Sequence, residues 1–237
     1  MANVYAVGVG PGDPELLTRK AERILRRVDV ILAPVSNPAE ASVALETIRE
    51  FIDESRQKVI IHQFPMTSDR ARLTPAWQEA AALIAGHVAS GRDVAFITIG
   101  DPLFYSTFIY LLRILREQWP DIRIEIVPGI SSINASAAQA GIPLVESEEK
   151  MAVIPATAGI EQIAAALTQF ETVVLLKVKP LFAEILDLLR RSGRERNTLF
   201  VERVGSSRQK ILTDFAEISA HSPEYLSLLI VKQPYSF

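Results

Sequence analysis

Three short segments of the sequence combine glycine, proline, hydroxyl and carboxylate groups in a pattern that suits binding of a small molecule. They are residues 8–18 (GVGPGDPELLT), residues 98–107 (TIGDPLFYST) and residues 127–132 (VPGISS). Glycine lets a ligand approach the backbone closely, and the start of a helix offers unpaired N–H groups to an anion. The first segment is neither a GxGxxG fingerprint nor a phosphate loop with lysine, so a plain strand-to-helix turn is its simpler interpretation when taken alone.

The polar side chains of the second and third segments each allow two interpretations. Asp101 could bind a ribose hydroxyl or a cationic ligand, or it could cap the helix that begins near Ser106. Ser131 and Ser132 could contact a ligand, although serines in such positions are more often helix caps. The residue types alone do not decide between these roles.

The elements that position these segments follow the rhythm of a parallel α/β sheet. Short β-branched runs predict strands at 4–9, 28–32, 59–62, 94–98 and 122–127. Apolar residues at helical spacing predict helices at 14–27, 42–54, 75–90 and 106–118. All three segments then lie at the carboxyl ends of strands, where ligands bind in open α/β sheets. Together they indicate a crevice for a nucleotide-like small molecule.

The second half of the chain predicts a separate α/β domain. Residues 117–121 (EQWPD) form the expected linker, because Pro120 disfavours helix in the residue before it, which gives domains at 1–119 and 120–237. Strands are predicted at 151–155, 172–178, 198–202, 209–213 and 225–231, and helices at 159–167 and 181–190. No long helix joins the last three strands, so we expect a mixed or partly antiparallel sheet.

Composition excludes several kinds of chemistry. The chain has 237 residues, a formal charge of −3 and no cysteine, so thiol nucleophiles, disulfides and cysteine-bound metals are ruled out. The charge argues against broad binding of nucleic acid. The N-terminal sequence has no basic, then apolar, leader pattern and no window is apolar enough to span a membrane, so we expect a cytoplasmic protein without membrane contact. No residue is an obvious metal ligand, and His62 and His87 are interpreted as strand and helix residues.

The three segments resemble the signatures of the tetrapyrrole methylase family. Residues 7–18 are similar to its N-terminal signature, Gly100-Asp101-Pro102 to its second and residues 127–132 to its third, and the resemblance runs from Tyr5 to about Lys232. Residues 100–108 (GDPLFYSTF), 150–156 (KMAVIPA) and 175–178 (LLKV) resemble the branch that methylates C20 of precorrin-2 or its cobalt form in cobalamin biosynthesis.

The resemblance implies a homodimeric methyltransferase of two α/β domains, with a mainly parallel N-terminal sheet and a mixed C-terminal sheet. S-adenosyl-L-methionine would lie in the cleft between the domains. The implied cofactor contacts are Gly100, Asp101, Leu103, Ser106, Thr107, Ser131 and Ser132. Lys177 and Val178 stand where many relatives have a Tyr-Met pair beside the cofactor, so their side-chain roles are open. Pro11 and Gly12 would face the tetrapyrrole instead of the cofactor.

Catalytic and substrate-binding side chains are harder to assign. Asp101, Tyr105 and Glu202 have titratable oxygens in loops expected to face the ligand, although capping or packing is the simpler role for each of them. The tetrapyrrole carboxylates call for cations, and the choices in predicted loops or loop edges are Arg70, Arg72, Arg203, Arg208 and Lys210. The alternatives are a sister corrin methyltransferase acting at another ring carbon, an enzyme of this fold acting on RNA or protein, and a cofactor-binding module without catalysis.

Overall fold

The computed structural model describes residues 2–37, 41–67 and 69–233. It divides into a first unit, Met1–Ser132, and a second unit, Ile133–Phe237. The expected boundary at residues 119–120 is therefore too early. The strand at 123–127 pairs along its length with the first strand of the chain, so it belongs to the first sheet and carries the unit past the Pro120 turn.

The first unit has a five-stranded sheet in which every pairing is parallel, as the sequence predicts. Its strands are β1 (Asn3–Gly8), β2 (Val30–Val35), β3 (Lys58–Gln63), β4 (Val94–Thr98) and β5 (Arg123–Val127), in the order β3-β2-β4-β1-β5. Successive side chains of a strand point to opposite faces. Val4 and Ala6 accordingly pack in one core cluster, and Tyr5 and Val7 in the other.

Helices cover both faces of this sheet. They are α1 (Arg19–Leu25), α2 (Val43–Ile48), α3 (Arg70–Ala89) and α4 (Phe108–Gln118). The first two pack on the face of Tyr5 and Val7, and the other two on the face of Val4 and Ala6. Thr18 caps α1 by accepting a hydrogen bond from the Ala21 N–H at 3.1 Å.

Two expectations for these helices are wrong. The predicted helix at 14–27 is a short 3-10 turn, Pro14–Leu16, followed by α1, because Thr18 interrupts it as an extended cap. Arg70 and Arg72 lie in the first turn of α3 instead of in a loop, since Asp69 caps that helix through the Ala71 N–H at 2.9 Å.

The second unit has the mixed sheet that the sequence predicts. α5 (Ser132–Ala140) crosses the boundary and is followed by β6 (Met151–Pro155), α6 (Ile160–Gln169), β7 (Thr172–Leu176), α7 (Phe182–Arg191), β8 (Thr198–Glu202), β9 (Lys210–Leu212), α8 (Phe215–Ala220) and β10 (Ser227–Lys232). The strand order is β6-β7-β10-β8-β9, with only β6 and β7 parallel. One core cluster joins α6 and α7 to the sheet. Within the described residues, no helix is both long and apolar enough to span a membrane.

Candidate functional site

The centre of the first sheet is a topological switch point. The connections that follow the neighbouring strands β1 and β4 run in opposite directions: β1 continues through α1 past β4 to β2, and β4 continues through α4 past β1 to β5. The two connections also lie on opposite faces, because α1 and α4 belong to different core clusters. Loops that leave two neighbouring strands toward opposite faces of a sheet create a crevice at the carboxyl ends of those strands, which is where open α/β sheets bind ligands.

The loops at this switch point are joined through backbone atoms. The Val9 N–H donates to the Thr98 carbonyl at 2.9 Å, and the Gly100 N–H donates to the Gly10 carbonyl at 2.7 Å. Gly8 lies so close that an added Cβ would come 2.5 Å from the Gly100 carbonyl oxygen and 2.6 Å from the Gly129 nitrogen. The three glycine-containing segments therefore meet at one place, and no larger residue fits at Gly8 without moving a backbone.

Asp101 holds two of these loops together. Its Oδ1 accepts a hydrogen bond from the Leu103 N–H at 2.8 Å, and its Oδ2 accepts one from the Gly129 N–H at 3.1 Å. It does not cap the helix near Ser106, which was one of the two interpretations of this carboxylate. The Ser106 Oγ instead accepts from the Phe108 N–H at 3.2 Å and lies 3.1 Å from the Thr98 Oγ1.

Gly100 is buried, but space remains on the side where a side chain would project. Gly100 has φ +70°, and a Cβ added to it would meet no atom within 4 Å. Leu103 is exposed and Thr107, Ser131 and Ser132 are half-buried, whereas Ser106 is buried with its hydroxyl engaged. Pro11 is buried and Gly12 is half-buried with φ 140°. A ligand here meets backbone groups first and few free side chains.

The second unit has its own group of residues selected from the sequence. β7 and β8 both run antiparallel to β10, so their carboxyl ends lie at the same edge of the sheet. Lys177 follows β7 with φ 56°, and Arg203 follows β8 with φ 49°. Positive φ is unfavourable for side chains of this size and tends to occur at functional sites. Val178 packs in the core cluster, so only its backbone is available to a ligand.

Cations surround Glu224 at this edge. The Arg203 Nε donates to the Glu224 Oε2 at 2.5 Å, and a second guanidinium nitrogen contacts the same oxygen. The hydrogen bond from Arg203 and the charges of Arg203, Arg208 and Lys179 lower the pKa of Glu224 below its ordinary value, against a smaller effect of burial. Of these cations, Arg203 is paired directly with Glu224, and Arg208 and Lys179 act on it through charge.

Glu202 is a structural residue and not an available base. It is buried, and its Oε2 accepts from the Glu224 N–H at 2.6 Å and lies 3.2 Å from the His221 Nε2. Glu202 thereby fixes the segment that presents Glu224 to Arg203. The sequence analysis missed Lys179 and Glu224 because no motif surrounds them, and only the folded sheet edge brings them together.

The remaining predicted residues lie elsewhere. Arg70 and Arg72 are exposed at the start of α3, and Lys210 is exposed in β9. His62 lies in β3 with its Nε2 3.1 Å from the Ala76 carbonyl, and His87 is buried in α3, as expected for structural histidines.

The fold and the loops define a class of protein, namely a two-unit α/β protein with a candidate small-molecule site built mostly from backbone. The family model for tetrapyrrole (corrin/porphyrin) methylases matches residues 3–219. The chain belongs to this family, which confirms the resemblance found in its glycine-containing segments.

Relatives of similar length make the comparison more specific. The chain is 36% identical to the cobalt-precorrin-2 C(20)-methyltransferase of Salmonella typhimurium, over 99% of this chain and 98% of the relative. It is 36% identical to a probable cobalt-precorrin-2 C(20)-methyltransferase of Methanocaldococcus jannaschii, over 97% and 96% of the two chains. It is 30% identical to a precorrin-2 C(20)-methyltransferase of a Sinorhizobium species, over 98% and 95%.

Solved structures of more distant proteins share the fold. A cobalt precorrin-4 methyltransferase superposes with a TM-score of 0.74 at 18% identity, covering 98% of this chain and 96% of the other. A uroporphyrin-III C-methyltransferase from Thermus thermophilus, solved in complex with S-adenosyl homocysteine, gives 0.70 at 24% identity and covers 98% of both chains. At these identities the likeness confirms the two-unit α/β architecture.

Proposed function

We propose that this protein is an S-adenosyl-L-methionine-dependent methyltransferase that methylates C20 of precorrin-2 or its cobalt form in cobalamin biosynthesis. The observation that carries the proposal is the similarity to C(20)-methyltransferases over nearly the whole of both chains, at 36% identity in two of them. The backbone site at the β1–β4 switch point supports it, because it suits a nucleoside-containing methyl donor.

The residues around Gly100 fit such a donor. The open space over Gly100 admits a ligand to the backbone, and the Asp101 carboxylate lies beside it with both oxygens already held. We propose Gly100, Asp101, Leu103, Ser106, Thr107, Ser131 and Ser132 as the contacts in the first unit. On the resemblance alone, we also propose Lys177 and the backbone of Val178. When bound, S-adenosylmethionine supplies an electrophilic methyl group that needs no covalent help from the protein.

The residues of the site mainly position the reactants. Loops held by backbone hydrogen bonds and by Asp101 do not have to reorganise during the reaction, and their alignment of donor and acceptor lowers the barrier. Asp101 is therefore proposed as a positioning residue, since its two oxygens hold backbone N–H groups. The proton lost from C20 needs no strong base, because conjugation in the product favours its release. Tyr105, with its ring half exposed beside the site, is the proposed assistant.

The carboxylates of the substrate would be held by cations. We propose Arg203, which pairs with Glu224, together with Arg208 and Lys179, whose charges also act on that carboxylate. Arg70, Pro11 and Gly12 are the proposed substrate contacts of the first unit. On the resemblance alone, we also propose that the enzyme is a cytoplasmic homodimer, which light scattering on the purified protein tests for the oligomeric state.

A transfer assay with a panel of acceptors tests the substrate. The purified protein is incubated with methyl-labelled S-adenosylmethionine and, separately, precorrin-2, its cobalt form, cobalt-precorrin-4 and uroporphyrinogen III. We expect mass spectrometry to show one added methyl group on one of the first two acceptors and none on the others. Transfer only to a later acceptor would assign a sister methyltransferase, and donor binding without any transfer would indicate a module without catalysis.

A further inference from the structure

The loop after β4 exposes three large apolar side chains in a row. Leu103 is 49% exposed, Phe104 41% and Tyr105 46%, although the residues on either side, Pro102 and Ser106, are buried. Isolated apolar residues on a surface need no explanation, but a continuous group of them marks a place where something apolar binds. This group begins two residues after Asp101 and so adjoins the proposed methyl-donor site.

The backbone of this loop is fixed at both ends. The Leu103 N–H is held by the Asp101 Oδ1 at 2.8 Å, and the Phe104 N–H donates to the Asp101 carbonyl at 3.3 Å. At the other end, the Ser106 hydroxyl holds the Phe108 N–H. The rings of Phe104 and Tyr105 therefore project from an anchored turn and not from a flexible one.

Tyr105 is held in a backbone conformation that favours glycine. Its φ is +53°, and an aromatic residue in this region costs stability that a glycine would not. The tyrosine and phenylalanine rings meet edge to face, with centroids 4.9 Å apart at 75°. This conformation places two adjacent aromatic rings at the surface despite the backbone cost of the positive φ at Tyr105.

We propose that the Phe104–Tyr105 ring pair is the platform on which the macrocycle of the tetrapyrrole lies, with one ring against it face-on and the other edge-on because their planes are 75° apart, which makes both side chains determinants of substrate affinity. The inference rests on the proposed function. A tetrapyrrole has broad apolar faces and carboxylates at its rim, so its faces suit aromatic rings and its rim suits cations. Residues 102–106 contain apolar, aromatic and hydroxyl groups but no charge. This composition suits the apolar face of the tetrapyrrole and not its carboxylate rim.

Steady-state kinetics with the preferred acceptor of the wild type test the platform. Phe104→Ala should raise KM for the tetrapyrrole about tenfold while kcat changes less and the Kd for S-adenosyl homocysteine, measured by calorimetry, stays the same. Tyr105→Gly should raise the same KM and raise the unfolding temperature, because glycine relieves the positive φ. Tyr105→Phe keeps the ring and should keep the KM, so it separates the ring from the hydroxyl. Ile61→Ala, which shortens an equally exposed side chain on β3, is the matched control.

The possible results distinguish failure of the platform from failure of the proposed function. An unchanged KM in both Phe104→Ala and Tyr105→Gly would overturn the platform while wild-type methylation of the acceptor continued. Equal loss of S-adenosyl homocysteine binding in both variants would assign the rings to the donor site instead. Loss of a concentration-dependent self-association, with KM unaffected, would assign them to contact with a second copy of the chain. If the wild type methylates none of the acceptors, the proposed function itself fails.

Discussion

Replacing Gly8 with alanine should damage the site through backbone contacts alone. Gly8 has no positive φ, so alanine is compatible with its backbone conformation and the test concerns space. The new methyl group would lie 2.5 Å from the Gly100 carbonyl oxygen, 2.6 Å from the Gly129 nitrogen and 2.8 Å from the Gly129 Cα. All three are backbone atoms, so no side chain can rotate away to make room.

The size of the effect follows from these distances. Unstrained contacts between carbon atoms are about 3.5–4.0 Å, so the loops after β4 and β5 must retreat by roughly 1 Å. Overpacking of this kind costs about 1–3 kcal/mol. Moving Gly129 also stretches its 3.1 Å hydrogen bond to Asp101, which is worth about 1.5 kcal/mol or more because the acceptor is charged. We expect a loss of about 3 kcal/mol in unfolding free energy, or roughly 10 °C in Tm for a chain of this size.

Thermal unfolding and calorimetry with S-adenosyl homocysteine measure the two consequences. Gly86→Ala is the matched control, because Gly86 is exposed in α3 and a Cβ there meets no atom within 4 Å. That variant should be stabilised by about 0.5–1 kcal/mol and bind normally. Gly8→Ala should lose at least about tenfold in affinity. Wild-type Tm and affinity in Gly8→Ala would refute the argument that these loops are joined by backbone contact.

Three other substitutions test individual groups. Asp101→Asn should weaken S-adenosyl homocysteine binding about tenfold, because an amide NH₂ would face one of the two N–H groups now held by the carboxylate; calorimetry showing full affinity would contradict this role. Ser106→Ala should lower the unfolding free energy by about 1–2 kcal/mol, since its hydroxyl is bonded to Thr98 and the Phe108 N–H, and an unchanged denaturation midpoint would argue against both bonds. Burial, together with the charges of Arg92 and Lys58, lowers the pKa of His87 in the folded protein below its ordinary value of 6.5. The unfolded chain therefore binds a proton at His87 more readily than the folded protein does, and the free energy of unfolding falls as the pH drops below about 6.5. His87→Leu should flatten this decline in urea midpoints measured between pH 7 and 5, and an equally steep decline would assign it to other groups.

The strands were predictable because short apolar runs rich in β-branched residues are typical of strands in a sheet. Val94–Thr98, Met151–Pro155 and Thr198–Glu202 have the predicted bounds. The first and third are buried along their whole length, whereas Met151–Pro155 is an edge strand that is only half-buried. The start of α3 was not predictable from Pro75, which suggested a helix beginning there. The helix begins at Arg70, because Asp69 caps it and Pro75 comes early enough that only one exposed turn loses a hydrogen bond.

The meeting of the three glycine-containing segments was predictable, but their contacts were not. Glycine and proline after each strand indicated that residues 8–18, 98–107 and 127–132 share one sheet edge. The bond from Asp101 to the Gly129 N–H joins residues far apart in the chain, so it depends on strand order, which no local pattern encodes. The pairing of Arg203 with Glu224 arises in the same way, since β8 and the segment before β10 become neighbours only in the folded sheet.

The central claim is methylation at C20, and the position of the transferred carbon tests it most directly. The product formed from ¹³C-methyl-labelled S-adenosylmethionine and the preferred acceptor is isolated and examined by NMR correlation spectroscopy. We predict a single labelled methyl group whose long-range couplings connect it to C20 of the macrocycle. A labelled methyl group on any other ring carbon would contradict the account and assign the enzyme to a different step of corrin methylation.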